Sequence, residues 1–73
     1  INLKTIEENT DIWVNEGMAT KKGKVISINL KEMGFDKLLG TGSASQAYKL
    51  TISAASAKAV EKTEAAGGEI ING

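Results

Sequence analysis

Apolar residues recur at every second position in two stretches of the chain. Val25 to Leu30 places isoleucine, isoleucine and leucine at alternate positions, the period that is typical of a strand with one buried face. Tyr48 to Ala54 is rich in β-formers and sets Tyr48, Leu50 and Ile52 on one side. Both stretches are therefore predicted to be strands whose alternate side chains enter a core.

The period changes to three and four residues after Ser56. Ala57 to Ala66 is predicted to be the longest helix, because Ser56 is a good N-cap and Gly67 can adopt the left-handed conformation that ends it. The buried stripe of this helix is expected to contain Ala59, Val60, Thr63 and Ala66. Glu69 to Asn72 is predicted to form the final strand.

The first third of the chain carries weaker signals. Ile1 to Leu3 alternates like a short strand and leads into a helical turn at Lys4 to Glu8. Asn9 to Lys24 mixes polar, charged and glycine residues, which favours an irregular connection. Trp13 anchors that connection, and we expect it to pack on the core edge rather than to stack on a nucleic-acid base, since other aromatic and basic residues do not surround it.

One tetrapeptide occurs twice. The residues Ile-Asn-Leu-Lys stand at 1–4 and again at 28–31. An asparagine at the end of a strand can cap the helical turn that follows. The two corners are therefore expected to be built alike, the second of them leading into a short helical turn at Lys31 to Phe35 that Gly34 closes.

Lys37 to Leu39 is a short apolar run that ends in Gly40-Thr41-Gly42-Ser43. We read the run as a buried strand, and the glycines as positions that allow positive φ angles and the close approach of another backbone or of a phosphate. Two interpretations remain open: a tight turn between strands, or an anion cradle to which Ser45 and its neighbours add hydroxyl groups. Neither a dinucleotide fingerprint nor a Walker loop is present, so a nucleotide site is not predicted.

Composition narrows the function classes. A chain of 73 residues forms one small domain, and with 41% hydrophobic but only 4% aromatic residues its core is made of small side chains. Cysteine and histidine are both absent, which removes the most versatile catalytic side chains and the commonest transition-metal ligands. We therefore expect no cofactor, no metal site and no enzymatic activity, and Glu61 and Glu64 are expected to lie on a solvated helix face.

Charge gives a mixed signal about partners. Nine lysines balance nine acidic residues, which argues against long-range attraction to nucleic acid. Lys21-Lys22-Gly23-Lys24 is nevertheless a dense positive cluster, either a solvated hairpin tip or a finger that faces phosphates. The sequence holds no apolar run of about 20 residues, so a soluble domain is expected. It opens on Ile1 rather than methionine, which indicates a piece of a longer chain.

Several of these features together resemble a known family. Lys-Leu-Leu-Gly-Thr-Gly at 37–42, Leu-Thr-Ile-Ser-Ala at 50–54, the Ser-capped helix and Ala-Gly-Gly-Glu-Ile at 66–70 are similar to the C-terminal domain of ribosomal protein L15, most closely its archaeal and eukaryotic form. The resemblance is strongest in the last half of the chain. Family members also carry a basic, glycine-rich N-terminal extension, which these 73 residues do not include.

The resemblance implies a fold and a function. The fold is an α/β domain of the L15/L18e type, spanning residues 1–73, with a small mixed sheet, one main helix and irregular strand-turn connections. The function is that of a structural constituent of the large ribosomal subunit in the cytoplasm, which binds ribosomal RNA and adjacent ribosomal proteins and takes part in translation. The expected RNA-binding residues are Lys37, Thr41, Gly42, Ser43 and Lys49, with Lys21, Lys22 and Lys24 as a second patch. The alternative is a small protein-protein interaction module without nucleic-acid contact, which zero net charge favours.

Overall fold

Two helices cover one face of a four-stranded mixed sheet in the computed structural model, which describes all 73 residues. A second, two-stranded sheet lies beside the first. The elements in chain order are α1 Leu3–Asn15, β1 Ala19–Lys22, β2 Val25–Asn29, β3 Lys37–Leu38, β4 Ala47–Ile52, β5 Ala54–Ala55, α2 Ala57–Ala65 and β6 Glu69–Asn72. None of the helices is long and apolar enough to cross a membrane.

The main sheet has the strand order β1-β2-β4-β6. β1 and β2 form an antiparallel hairpin, whereas β2, β4 and β6 run parallel, as connections through helices and long loops allow. The register places Ile28 opposite Leu50, and Leu50 opposite Ile70. One face of the sheet therefore collects the apolar side chains, and the α/β fold with a mixed sheet is confirmed.

The core lies between this face and the two helices. Its largest members are fully buried isoleucine, leucine and tyrosine side chains, most of them from β2, β4 and α1. The alternation predicted for Val25 to Leu30 and for Tyr48, Leu50 and Ile52 is confirmed by their burial. Trp13 is only 9% exposed and belongs to the same cluster, so the prediction that it packs on the core is confirmed.

The irregular connection predicted for Asn9 to Lys24 is wrong. Most of it belongs to α1, which is longer than α2 and begins at the Asn2 cap, and to strand β1. The inward stripe of α1 contains Leu3, Ile6 and Trp13 but is interrupted by Thr10. The Thr10 hydroxyl is satisfied by the carbonyl oxygen of Ile6 at 2.6 Å and by the Tyr48 hydroxyl at 3.1 Å. This polar residue at a core position interrupts the apolar pattern of α1, so the sequence did not predict the helix.

The two Ile-Asn-Leu-Lys corners share the predicted asparagine cap. The Asn2 side chain accepts a hydrogen bond from the N–H of Thr5 at 2.9 Å, and the Asn29 side chain accepts one from the N–H of Glu32 at 3.1 Å. The outcomes differ, because α1 follows the first corner and only a hydrogen-bonded turn follows the second. The short helical turn expected at Lys31 to Phe35 is thus not a helix.

The end of the chain follows the prediction closely. The hydroxyl of Ser56 accepts a hydrogen bond from the N–H of Ala59 at 3.2 Å, so Ser56 caps α2. Gly67 has a φ of +87° and stops the helix. Glu61 and Glu64 are exposed. The strand expected from Tyr48 to Ala54 is interrupted after Ile52, and its last part forms β5 instead.

Candidate functional site

Residues 40–46, here called the glycine loop, link β3 to β4 along the chain and contact both helices. The N–H groups of Leu3 and Lys4, in the first turn of α1, donate to the carbonyl oxygens of Leu39 and Thr41 at 3.2 and 3.0 Å. On the other side, the backbone of Gly40 packs on Lys58 and Ala59 in the first turn of α2. The loop therefore lies between the two helices before the chain enters β4.

The two glycines are required by this close packing. A Cβ atom on Gly40 would lie 2.5 Å from the Cβ of Lys58, and one on Gly42 would lie 2.7 Å from the backbone nitrogen of Lys4. Gly42 also has a φ of +93°, which favours glycine. Close approach of another backbone, one of the two roles predicted for these glycines, is thus confirmed. The predicted tight turn between strands is wrong, because residues 39–46 separate β3 from β4.

Two charged side chains hold the glycine loop from opposite sides. The ammonium group of Lys62 in α2 donates to the carbonyl oxygens of Gly40 and Gly42 at 2.7 and 2.6 Å. The carboxylate of Glu7 in α1 accepts from the backbone N–H of Ser45 and, at 2.8 Å, from its hydroxyl. Hydrogen bonds to ionised groups are stronger than neutral ones, so the loop is fixed by both helices.

The outer part of the glycine loop keeps its hydrogen-bond donors free. Thr41, Gly42 and Ser43 are exposed, and their backbone N–H groups donate to no acceptor within the protein. Leu39, just before the loop, is 44% exposed, so the strand predicted at Lys37 to Leu39 is buried only at Leu38. Backbone N–H groups and hydroxyls of this kind are common partners of phosphate oxygens.

The basic cluster lies at the tip of the β1-β2 hairpin, which confirms the prediction of a hairpin tip. Lys21, Gly23 and Lys24 share a cavity of about 360 Å³ with Ser45, Gln46 and Ala47 at the end of the glycine loop. The hairpin tip and the loop end are adjacent because the register of β2 and β4 pairs Val25 with Ala47. The start of β2 and the start of β4 therefore bring two segments together that the sequence separates by some twenty residues.

The remaining predicted site residues lie on other surfaces. Lys49 projects from the uncovered face of the sheet, where its ammonium group is 3.6 Å from the carboxylate of Glu69, and Lys22 lines the same depression. Lys37 pairs with Ala54, beyond the far end of β4. A six-residue strand is roughly 20 Å long, so Lys37 is well separated from the hairpin tip.

Three lysines that the sequence reasoning did not single out surround the glycine loop. Lys4 contacts Gly42, Lys58 contacts Gly40, and Lys62 binds the carbonyl oxygens of both glycines. Lys58 and Lys62 are four residues apart on α2, which places them on one side of the helix. That spacing was visible in the sequence, but only the fold brings it to the loop.

Tyr48 lies under the loop end and is the buried ionisable group of the domain. Burial raises the pKa of its hydroxyl above 10.0, the hydrogen bond with Thr10 lowers that pKa, and the negative charge of Glu7 raises it again. Tyr48 is therefore neutral at physiological pH. It supports the site by packing rather than by charge.

Comparison with known proteins gives a consistent result. Residues 1–71 match the family model described as the 50S ribosomal proteins L15 and L18e and their 60S counterpart. The chain is 41% identical to large ribosomal subunit protein uL15 of Hyperthermus butylicus over 71 residues, which are 97% of this chain and 47% of that protein. It is 39% identical to uL15 of Archaeoglobus fulgidus, over 97% of this chain and 40% of that protein.

The uL15 protein of Methanobrevibacter smithii is 38% identical over 97% of this chain and 49% of its own length. The chain thus spans somewhat less than half the length of these relatives. The similarity extends through the first half of the chain, beyond the segments in which the resemblance was strongest. A match over nearly every residue confirms that resemblance, and the chain belongs to the family of the 50S ribosomal proteins L15 and L18e and their 60S counterpart.

Proposed function

We propose that this domain is a structural part of the large ribosomal subunit, that it binds ribosomal RNA, and that it acts in the cytoplasm. Its relatives are named as large ribosomal subunit proteins, and its family is one of ribosomal proteins rather than of enzymes, in agreement with the prediction that the chain is not an enzyme. The observation that carries the RNA part is the shared cavity of the hairpin tip and the glycine loop. It joins the basic cluster to the end of the glycine loop, whose outer residues carry the free backbone donors.

The proposed RNA surface combines charge with directional hydrogen bonds. Lys21 and Lys24 supply positive charge next to the loop end, and none of the hairpin lysines forms a salt bridge. Thr41, Gly42 and Ser43 supply exposed donors. Phosphate contacts of both kinds fix the register of a protein on RNA without reading its sequence. Lys22, Lys37 and Lys49 receive less support, because they lie on other surfaces.

A salt titration tests the assignment. Binding of the 73-residue chain to a fragment of large-subunit ribosomal RNA is followed by fluorescence at several salt concentrations. Each phosphate contact contributes about 0.7 to 0.9 to the slope of log affinity against log salt concentration. Lys24→Ala should therefore lower the slope by about that amount.

Lys49→Ala is the matched control, since it removes the same charge from the uncovered face of the sheet, where Lys49 is already paired with Glu69. We expect the slope to fall by less than half as much as with Lys24→Ala. Glu61→Ala, on the exposed face of α2, should not lower it. Equal losses for Lys24→Ala and Lys49→Ala would move the RNA surface to the uncovered sheet face.

The uncovered sheet face is the better candidate for contacts with neighbouring ribosomal proteins. Both helices pack on the opposite face, and Met18, Thr51 and Ile71 line a shallow groove here. Met18 is 45% exposed and Ile71 39%, while the charges of Lys49 and Glu69 offset each other. A chain without salt-dependent RNA binding would favour the alternative function, a protein-protein interaction module that uses this face.

A further inference from the structure

We infer that Ser45 belongs to an anion-binding site which the Glu7 carboxylate occupies in the free domain and which an RNA phosphate takes over on binding. This inference rests on the proposed function. The site comprises the backbone N–H and hydroxyl of Ser45, with Lys4, Gly42 and Ser43 along the wall of the same cavity of about 290 Å³.

The contact itself shows that Ser45 receives an anion. One carboxylate oxygen of Glu7 accepts from the Ser45 N–H, and the other accepts from its hydroxyl at 2.8 Å. A backbone N–H beside a hydroxyl is also a common donor pair for two oxygens of a phosphate. The carboxylate therefore stands where a phosphodiester would bind, and it carries the same charge of minus one.

The site is open to an external ligand. Both hydrogen bonds between Glu7 and Ser45 are exposed to solvent. The position of α1 does not depend on them, because Leu3, Ile6 and Trp13 anchor that helix in the core. Glu7 can thus release Ser45 by rotating its own side chain, with no movement of the helix.

RNA has an advantage over a free anion in this exchange. A tethered group such as Glu7 competes with an effective concentration of the order of millimolar. An RNA strand held by Lys21 and Lys24 presents its next phosphates at a comparable local concentration, since these lysines share a cavity with Ser45. The exchange keeps the number of charge-assisted hydrogen bonds to Ser45 unchanged, while the released Glu7 carboxylate turns to solvent.

The test compares two neighbouring carboxylates. Glu7→Gln removes the charge of the occupant and leaves only a neutral amide oxygen to accept from Ser45, while Glu8→Gln removes the same charge from an exposed residue that lines the cavity but makes no hydrogen bond to the loop. In the RNA titration at fixed salt, Glu7→Gln should raise the affinity about tenfold, the size of one charge-assisted hydrogen bond. Glu8→Gln should raise it less than threefold, and Ser45→Ala in the Glu7→Gln background should abolish most of the gain.

Equal gains for Glu7→Gln and Glu8→Gln would overturn the inference, because repulsion alone would then explain both. Weaker binding by Glu7→Gln would also overturn it, because Glu7 would then act only by holding the loop. A titration of the Glu7→Gln chain with inorganic phosphate tests the anion site at Ser45 independently of the proposed RNA function. A shift of the Ser45 amide signal in NMR without any RNA binding would support the anion site and overturn only the RNA function. If the chain shows neither a shift of the Ser45 signal nor binding to RNA, the inference and the proposed RNA function are both overturned. Urea midpoints from Trp13 fluorescence verify that each variant is folded.

Discussion

Replacing Thr63 with valine should make the domain more stable. Thr63 lies on the inward side of α2 and is fully buried, in agreement with the stripe predicted from the sequence. Its hydroxyl oxygen has no hydrogen-bond partner. A buried hydroxyl that makes no hydrogen bond has lost its contact with water and has gained nothing in return.

The size of the effect follows from two contributions. A buried polar group without a partner costs about 1 to 3 kcal/mol, and a methyl group in its place buries additional apolar surface at about 25 cal/mol per Å². Valine and threonine have similar shapes and similar helix propensities, so backbone terms nearly cancel. We expect a gain of about 1 kcal/mol, which corresponds to roughly 4–8 °C in the melting temperature of a domain of this size.

Urea denaturation followed by the fluorescence of Trp13, the only tryptophan, measures the change. Thr10→Val is the matched control, because Thr10 is also buried in a helix but its hydroxyl is bonded to the Ile6 carbonyl and the Tyr48 hydroxyl. That variant should lose about 1 to 2 kcal/mol. A midpoint for Thr63→Val at or below that of the parent, or shifts of the same sign for both variants, would refute the reasoning.

Three further predictions concern the cap, the glycine loop and pH. Ser56→Ala should cost about 1 kcal/mol of unfolding free energy in urea melts, because the N–H of Ala59 loses its acceptor. Gly40→Ala should cost about 1 to 3 kcal/mol, since its Cβ would overlap α2; an unchanged midpoint would mean that the loop does not pack there. The raised pKa of Tyr48 means that the folded state holds this proton more tightly than the unfolded state. The stability that this proton contributes to the folded state is complete below the unfolded pKa of about 10. It is lost as the pH rises through the raised pKa of the folded state. Urea midpoints between about pH 9 and 11 should therefore fall less steeply for Tyr48→Phe than for the parent.

The elements that could be predicted from the sequence are those whose local signals agree with their burial. β2, β4 and α2 show clean periods of two or of three and four, and Ser56 and Gly67 mark the helix ends. α1 was missed because Thr10 occupies a core position that pattern reasoning reserves for apolar residues. The hydroxyl is acceptable there only because Tyr48, far along the chain, approaches it. Such a partner is a property of the tertiary structure.

The candidate site could be recognised from the sequence only in pieces, for the same reason. The glycine loop and the hairpin lysines were each recognised from local composition, but their proximity depends on the parallel pairing of β2 with β4. Nothing local in the sequence indicated that Lys62 and Glu7 bind the loop, since a lysine and a glutamate on helices are ordinary surface residues. Their roles arise from contacts with residues 20 to 38 positions away.

Formal net charge is a poor guide to the partner of this domain, because it ignores where the charges lie. Exposed charges are screened beyond about 8 Å at physiological ionic strength, whereas the molecule measures 29 by 24 by 19 Å. Carboxylates elsewhere on the surface therefore do little to cancel the field at the hairpin tip. The single salt bridge joins Lys49 to Glu69, which leaves Lys21 and Lys24 without a paired carboxylate. A neutral chain thus has a locally positive end, and the salt slope of RNA binding should depend on the lysines of that end rather than on the total charge.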